Sequence, residues 1–339
     1  MQSRNINAQR ENSLKITKTN LTIMMDIVIL GFADRPQFHW FLFVVSLVIY
    51  LISPLGSSII ILITKVDATL QTPMYFFLRN FSFLEICYVS VTLPRMLMEP
   101  WTRKGNIYFL TCATQMCFFL MLGVTECFLL TVMAYDRYVA ICNPLHYPLV
   151  MNHKVCVQLV VASWINGTPV EIGQTCQIFS LPFCGFNQIN HFFCDVPPLL
   201  KHACGDIFMN ELVVYIFGVL FVTLPFMLIS GFYIRIISTI LKLPSKTGWT
   251  KAFSTFSSHI VVVLLFYGSA TVTYLKPKSN QYEGIDKLLS LFYTILTPMF
   301  NPMVYSLRNK DVRKAIRKFL HKLSALWEFE ITQIIILCI

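Results

Sequence analysis

Long apolar runs closed by charged or turn-forming residues recur along the chain. A helix needs about 20 mostly apolar residues to cross a bilayer core. The first run extends from about Trp40 to Thr64 and is closed by Lys65. The second extends from about Pro73 to Met98, interrupted by Arg79, Glu85 and Arg95, and the third from about Tyr108 to Ala140. The fourth spans roughly Val155 to Ile172, and the fifth roughly Glu211 to Leu241. The sixth spans about Ala252 to Leu275, and the seventh about Leu288 to Leu307. The runs are continuous rather than alternating, which excludes the strands of a closed barrel. The pattern predicts an all-α membrane protein, a seven-transmembrane helix bundle over residues 39–307. Before it lies a tail, residues 1–38, and after it an amphipathic helix and tail, residues 308–339.

Composition sharpens this. Charged residues make up 13% of the 339, and the hydrophobic class 55%, with 29 Phe and a mean hydropathy of +0.62. Soluble domains carry about 25% charge. No water-soluble interior holds that much apolar surface, so the excess faces lipid, and disorder, collagen and coiled coil are excluded. The net charge of +10 has a location. With the C-terminus inside, more than half of the 27 Lys and Arg fall on inner segments, including Lys65, Arg79, Arg137, Lys154, Lys242, Lys251 and the cluster Arg308 to Lys322. The positive-inside rule then places the N-terminus outside and the C-terminus in the cytoplasm. The charge is an inner rim against membrane lipids rather than a nucleic-acid footprint.

The N-terminal tail is polar apart from the short run Ile27 to Leu30 and shows no signal-peptide pattern, so the first helix is expected to act as its own insertion signal. Asn20-Leu21-Thr22 is a glycosylation acceptor in that outer tail. Two further sequons, at Asn80 and Asn166, fall inside predicted helices and are read as buried polar residues.

Of 11 cysteines, Cys87, Cys117 and Cys127 sit mid-helix as small core residues. The outer segment from about Gly173 to Met209 holds Cys176, Cys184, Cys194 and Cys204, with Cys112 at the outer end of the third helix. An extracellular loop is oxidising, so these are disulfide candidates. His191 and His202 lie among them and keep zinc open as an alternative, although the spacing matches no compact ligand set.

The third helix ends in Met133-Ala134-Tyr135-Asp136-Arg137-Tyr138-Val139-Ala140-Ile141-Cys142. An acid–base pair at that depth is costly unless the charges pair or face water. It reads either as a snorkelling interfacial pair or as a lock that releases Arg137 when the bundle opens. The seventh helix carries Pro298-Met299-Phe300-Asn301-Pro302-Met303-Val304-Tyr305. Pro302 frees a backbone carbonyl and kinks the helix, and Asn301 can bond what is freed. Together these strings resemble the rhodopsin-like G-protein-coupled receptors.

Longer strings narrow the resemblance. Leu70-Gln71-Thr72-Pro73-Met74-Tyr75-Phe76-Phe77-Leu78 opens the second helix. Lys251-Ala252-Phe253-Ser254-Thr255 opens the sixth, with Ser258-His259 and then Phe266-Tyr267-Gly268 further on. Ser306-Leu307-Arg308-Asn309-Lys310-Asp311-Val312 follows the seventh. From about Gly31 to Leu320 the chain resembles the odorant (olfactory) receptors of the tetrapod-type class. The resemblance implies a Cys112–Cys194 disulfide between the third helix and the outer loop, and a Cys184–Cys204 disulfide within that loop, leaving Cys176 over. It implies a plasma-membrane receptor of olfactory cilia that takes a small volatile odorant. It also implies activation of the stimulatory, cyclic-AMP-raising olfactory G protein, with Asp136, Arg137, Tyr138, Tyr233, Asn301, Pro302 and Tyr305 as the coupling and activation residues. The chain departs from the family at Ser57, where Gly-Asn is usual and Gly56-Ser57 stands, at Phe256, and at Phe232-Tyr233, where Ser-Tyr is usual.

Glu85 and Glu126 fall mid-membrane, where a carboxylate must be neutral, paired or bound to a cation. The second, third and seventh helices converge in this family, so Glu85, Glu126 and Asn301 are expected to share one site. Two readings stay open: protonated acids in a hydrogen-bond network, or a sodium-type structural ion holding the resting state. No other cofactor is implied. In the third helix Phe119, Leu120, Gly123, Val124 and Cys127 share one stripe at helical spacing. The fifth offers Phe217, Gly218 and Phe221, the sixth Tyr267, Ala270, Thr271 and Tyr274, and the seventh Leu291 and Thr294. Such stripes are usually bundle core; the resemblance selects the outer half as a binding cavity. The lining is uncharged, which suits a mostly apolar ligand with one hydrogen-bonding group. A transporter would show inverted repeats or paired broken helices, and none is visible. Neither Gly-x-Ser-x-Gly, His-Glu-x-x-His nor a Walker loop occurs, so no enzyme is implied. A non-olfactory chemoreceptor of the same fold remains the alternative.

Overall fold

The computed structural model describes residues 26–29, 36–98, 106–183, 188–189, 191–204, 207–242, 257, 259–268, 270, 298, 300, 301, 304, 311–319 and 321. Five described helices are long and apolar enough to cross a membrane: α1 (Pro36–Val66), α2 (Pro73–Met98), α3 (Phe109–Cys142), α4 (His153–Phe179) and α5 (Phe208–Leu241). A shorter apolar helix, α6 (His259–Gly268), lies within the sixth run, and residues 298, 300, 301 and 304 of the seventh are helical.

The helix ends follow local chemistry. Pro73 opens α2, where a missing N–H costs nothing. Asn152 caps α4 by accepting from the Val155 N–H at 3.0 Å. In α5, Pro225 cannot donate to the carbonyl one turn back, and the preceding segment Val219–Thr223 widens into a π turn.

The central helix is α3, which packs against α2, α4 and α5. Of its most apolar stretch 56% is buried, against 11% for α5, whose Leu224, Met227, Leu228 and Ile234 point outward to lipid. Helix α4 meets α3 along one face, Cys156, Val160, Ser163, Gly167, Glu171, Gln174, Thr175 and Ile178. At Gly167 a Cβ would lie 3.2 Å from Val124 Cγ1 and 3.3 Å from the Met121 carbonyl oxygen. Lipid supplies no hydrophobic drive between helices, so close approach at a small residue is what packs them.

Two sequence expectations are corrected here. Helix α4 does not end near Ile172 but continues to Phe179, so Cys176 lies on its last turns rather than in the outer loop. Glu171 interrupts the apolar run and made it look shorter. Asn166, expected to be buried, is on the exposed side of α4 and donates to the Ala162 carbonyl at 2.7 Å. Asn80 is part-buried and bonds the Phe76 carbonyl at 2.8 Å. Each side chain uses its amide on its own helix, as a polar group facing lipid must.

A three-stranded sheet covers the outer end, in the order β2-β1-β3. The central β1 (Asp26–Ile29) pairs antiparallel with β2 (Asn106–Tyr108), Asp26 opposite Tyr108, and parallel with β3 (Gln188–Ile189), Val28 beside Gln188. The short apolar run of the N-terminal tail is thus the strand joining two outer segments. At the inner end residues 311–319 form a helix with Val312 and Ala315 buried. Tyr75 donates to Asp311 Oδ2 at 3.4 Å, and Lys318 Nζ lies 3.6 Å from Asp67 Oδ2. The Thr69 backbone and hydroxyl donors, with a smaller contribution from Lys318, hold the Asp67 carboxyl below the usual carboxylate range.

Candidate functional site: outer cavity, buried acids and cytoplasmic switch

The outer end of the bundle is roofed by a pinned loop. Cys112, at the head of α3, is bonded to Cys194. The Cys194 N–H donates to Gln115 Oε1 at 3.5 Å, and Gln115 Nε2 donates to the Val91 carbonyl at 3.2 Å, so loop, α3 and α2 are tied together. Next to the disulfide, the Phe193 ring packs 4.9 Å from Phe119, which packs 5.4 Å from Tyr88. His191 stacks on Phe192 at 4.5 Å, and its Nδ1 lies 3.2 Å from the Phe193 carbonyl oxygen. Its role there is to shape the loop, and with Cys112, Cys194 and Cys204 in disulfides their thiolates are not available to zinc. Cys204 sits where its N–H donates to the Pro182 carbonyl at 2.8 Å, beside a Phe183–Ala203 bridge. Cys184, its implied partner, lies outside the described residues. Cys176 is exposed and free.

Below the roof the structure brings some of the expected lining together. Phe119 is buried and Leu120 half-buried. At Gly123 no described residue lies within 4 Å of where a Cβ would stand. Phe217 packs 6.0 Å from Phe221, and Phe221 6.1 Å from Phe128 of α3. Tyr267 packs 5.0 Å from Phe226, with its hydroxyl beside Cys127 and Thr131 and without an aligned partner among the described residues. Gly218 and Ala270 are part-buried. Val124 is different: its Cγ1 abuts Gly167, so it faces α4 rather than sharing the stripe of Phe119 and Gly123. Thr271, Tyr274, Leu291 and Thr294 lie outside the described residues. Sequence reasoning missed Tyr88, Phe128, Phe193, Phe226 and Glu171. Phe193 was within reach, because a residue beside a disulfide to the head of α3 is held over the outer end of the bundle. Glu171 meets the criterion that singled out Glu85 and Glu126.

Midway down, Asn301 Nδ2 donates to Glu85 Oε1, and Glu126 lies within electrostatic reach of Glu85. Ser53 of α1 donates to the Pro298 carbonyl at 2.8 Å. The buried oxygens without a hydrogen-bond partner among the described residues include Ser57 Oγ, Glu85 Oε2, Glu126 Oε1 and Asn301 Oδ1. All four are oxygens, the ligand type that a small hard cation takes.

At the cytoplasmic end Asp136 and Arg137 are both buried. Asp136 is not locked to Arg137; its Oδ1 accepts from Tyr147, on the short helical turn Tyr147–Val150, at 2.9 Å. Burial and the Asp136 carboxylate push the Tyr147 phenol up, which keeps it a donor. Tyr233 and His259 are joined by a hydrogen bond between hydroxyl and Nδ1, and both feel the Arg137 charge. Phe232, where the family usually has Ser, fills a gap between Tyr138 at 5.4 Å and Tyr135 at 5.6 Å. Pro302, Tyr305 and Phe256 lie outside the described residues.

Comparison with known proteins fits this architecture. The crystal structure of squid rhodopsin superposes with a TM-score of 0.67 at 17% identity, covering 84% of this chain and 86% of that one, which shows the rhodopsin-like fold. Human olfactory receptor 10AG1 is 63% identical over 299 residues, 88% of this chain and 99% of the relative. Human olfactory receptor 10A5 is 50% identical over 308 residues, 91% of this chain and 97% of the relative. The family model described as olfactory receptor matches residues 46–323. With the pinned loop, the buried Asp136-Arg137 pair and that match in hand, the chain belongs to the olfactory receptor family: it is a multi-pass plasma-membrane receptor of the G-protein-coupled class, not an enzyme.

Proposed function

We propose that this receptor binds a small, mostly apolar odorant in the outer half of the bundle and activates a stimulatory, olfactory-type heterotrimeric G protein, raising cyclic AMP. The observation that carries the reading is the aromatic roof. Phe193, held by the Cys112–Cys194 link, closes over Phe119 and Tyr88, while one turn further in no described residue crowds the missing side chain of Gly123. Such a site offers ring faces and few polar groups, so affinity is modest and set by shape. A cyclic-AMP reporter assay with a chemically broad odorant panel tests it. Concentration-dependent responses to a subset of volatile compounds are the expected result; ligand-evoked cation flux without cyclic AMP would replace the reading with a channel.

The unpartnered oxygens of Ser57, Glu85, Glu126 and Asn301 favour the sodium-type ion as a second element of the mechanism, holding the resting bundle. The Ser57→Asn variant tests it. An Asn amide brings two N–H donors where Ser brings one hydroxyl, and so meets the same oxygens that the cation would. An interhelical polar contact contributes about 0.6 kcal/mol, so surface expression or signalling rises about threefold. Basal cyclic AMP in the parent is expected to rise when sodium is replaced by a bulky organic cation, and in Ser57→Asn to respond less. A parent indifferent to sodium assigns the oxygens to protonated acids instead.

A further inference from the structure

Glu171 belongs to none of the clusters above. It is 3% exposed, and its Oε2 has no hydrogen-bond partner among the described residues. One turn outward on α4, Thr175 is 7% exposed, and its hydroxyl lies beside the Cys117 thiol without an aligned partner among the described residues. Both lie on the face of α4 that meets α3. Their depth follows from Gly167, which abuts Val124 and Met121. The two helices run antiparallel, so one turn outward from Gly167 brings Glu171 level with residues 117–120 of α3. The Cys117 thiol, which feels both Glu171 and Thr175, agrees with that register. Half-buried Leu120, one of the expected lining residues, is at the same level. Further out, Gln177 donates to Asn210 Oδ1 at 2.6 Å and joins α4 to the start of α5.

A buried carboxyl with an unmet oxygen is costly in an apolar bundle. No lysine or arginine is among the residues of α3 or α4 at this level. Among the described residues nothing donates to that oxygen, which leaves room for a donor brought by a ligand. Resting on the odorant cavity proposed above, we propose that Glu171 and Thr175 form a polar subsite on its α3–α4 edge that receives the ammonium group of a small alkyl amine, with the alkyl chain directed past Leu120 towards Gly123. The chemistry selects the headgroup. An ammonium presents three N–H donors and no acceptor, which suits a carboxylate and a hydroxyl oxygen on adjacent turns. A ketone, ether or ester brings no donor, and an alcohol brings one. The charge-assisted bond is also the stronger type.

The test uses the full-length receptor with straight-chain primary amines from butylamine to octylamine, beside the alcohols and ketones of equal length. Binding is read as the thermal stabilisation of purified receptor in nanodiscs, and signalling as cyclic AMP in cells. Amines are expected to stabilise the parent more than the matched alcohols do. In Glu171→Gln, which keeps the size and one acceptor oxygen but removes the charge, the amine concentration for half effect should rise about tenfold or more, the loss of one charge-assisted contact. Alcohol responses should hardly move. Thr175→Val should weaken amines by about threefold. The subsite is overturned if no amine stabilises the parent, if amines stabilise the parent and Glu171→Gln equally, or if alcohols or ketones are preferred. Alcohol or ketone responses without amine responses leave the odorant cavity standing and remove the subsite. Glu171-dependent stabilisation by amines without cyclic AMP keeps the subsite and removes the proposed coupling.

Discussion

Arg137→Ala is expected to abolish cyclic AMP output, basal and odorant-evoked, while the receptor still reaches the cell surface in near-normal amount. The packing explains why the two readouts separate. The partner of Asp136 is Tyr147, at 2.9 Å, and that bond survives the substitution. Removing Arg137 takes a favourable charge away from the Asp136 carboxylate but leaves it hydrogen-bonded, so the loss is milder than deleting half of a contact ion pair. It also relieves the desolvation of a guanidinium that is 8% exposed and makes no ion pair among the described residues. What is lost is a buried charge that makes no ion pair among the described residues. Arg137 lies beside the Tyr233–His259 bond between α5 and α6, so it is placed to report a shift of those helices. Surface labelling by flow cytometry and a cyclic-AMP reporter, with any odorant that activates the parent, separate folding from signalling. Normal output from the variant would remove Arg137 from the coupling machinery.

How much of this was legible beforehand differs from one element to the next, for physical reasons. Spans show in a sequence because lipid demands continuous apolar runs, and α1, α2, α3 and α5 fall where those runs do. The end of α4 failed because run length detects lipid-facing surface, whereas Glu171, Gln174 and Thr175 face α3 and need not be apolar. The sheet failed because its strands are two to four residues long and come from three remote segments, which leaves no local periodicity to read. The Cys112–Cys194 link was legible only through the family resemblance, since five outer cysteines permit many pairings. The pairing of Asp136 with Tyr147 was hidden by proximity: Arg137 is adjacent in sequence, but side chains at neighbouring helix positions point apart. Phe232 read as a departure until its place between Tyr135 and Tyr138 was visible.

Cys112→Ser and Cys194→Ser are each expected to stop maturation, with surface receptor falling by more than tenfold. The bond joins positions separated by 82 residues. Closing a loop of that size in the unfolded chain corresponds to about 4–5 kcal/mol on the chain-entropy account, against a typical total stability of about 5–15 kcal/mol. The local packing adds to this. Both half-cystines are fully buried, with Met116, Val196 and Leu199 around them. A serine there places a hydroxyl in an apolar cluster and frees its former partner thiol. The roof also depends on the bond, because Phe193 reaches Phe119 from the residue next to Cys194. The same substitution at Cys176 provides the control: that thiol is exposed and free on α4, so Cys176→Ser should mature like the parent. Peptide mapping of unreduced receptor should recover the Cys112 and Cys194 peptides as one linked species. Free thiols at both positions, or surface expression of Cys112→Ser equal to that of Cys176→Ser, would show that apolar packing alone holds the outer loop on α3.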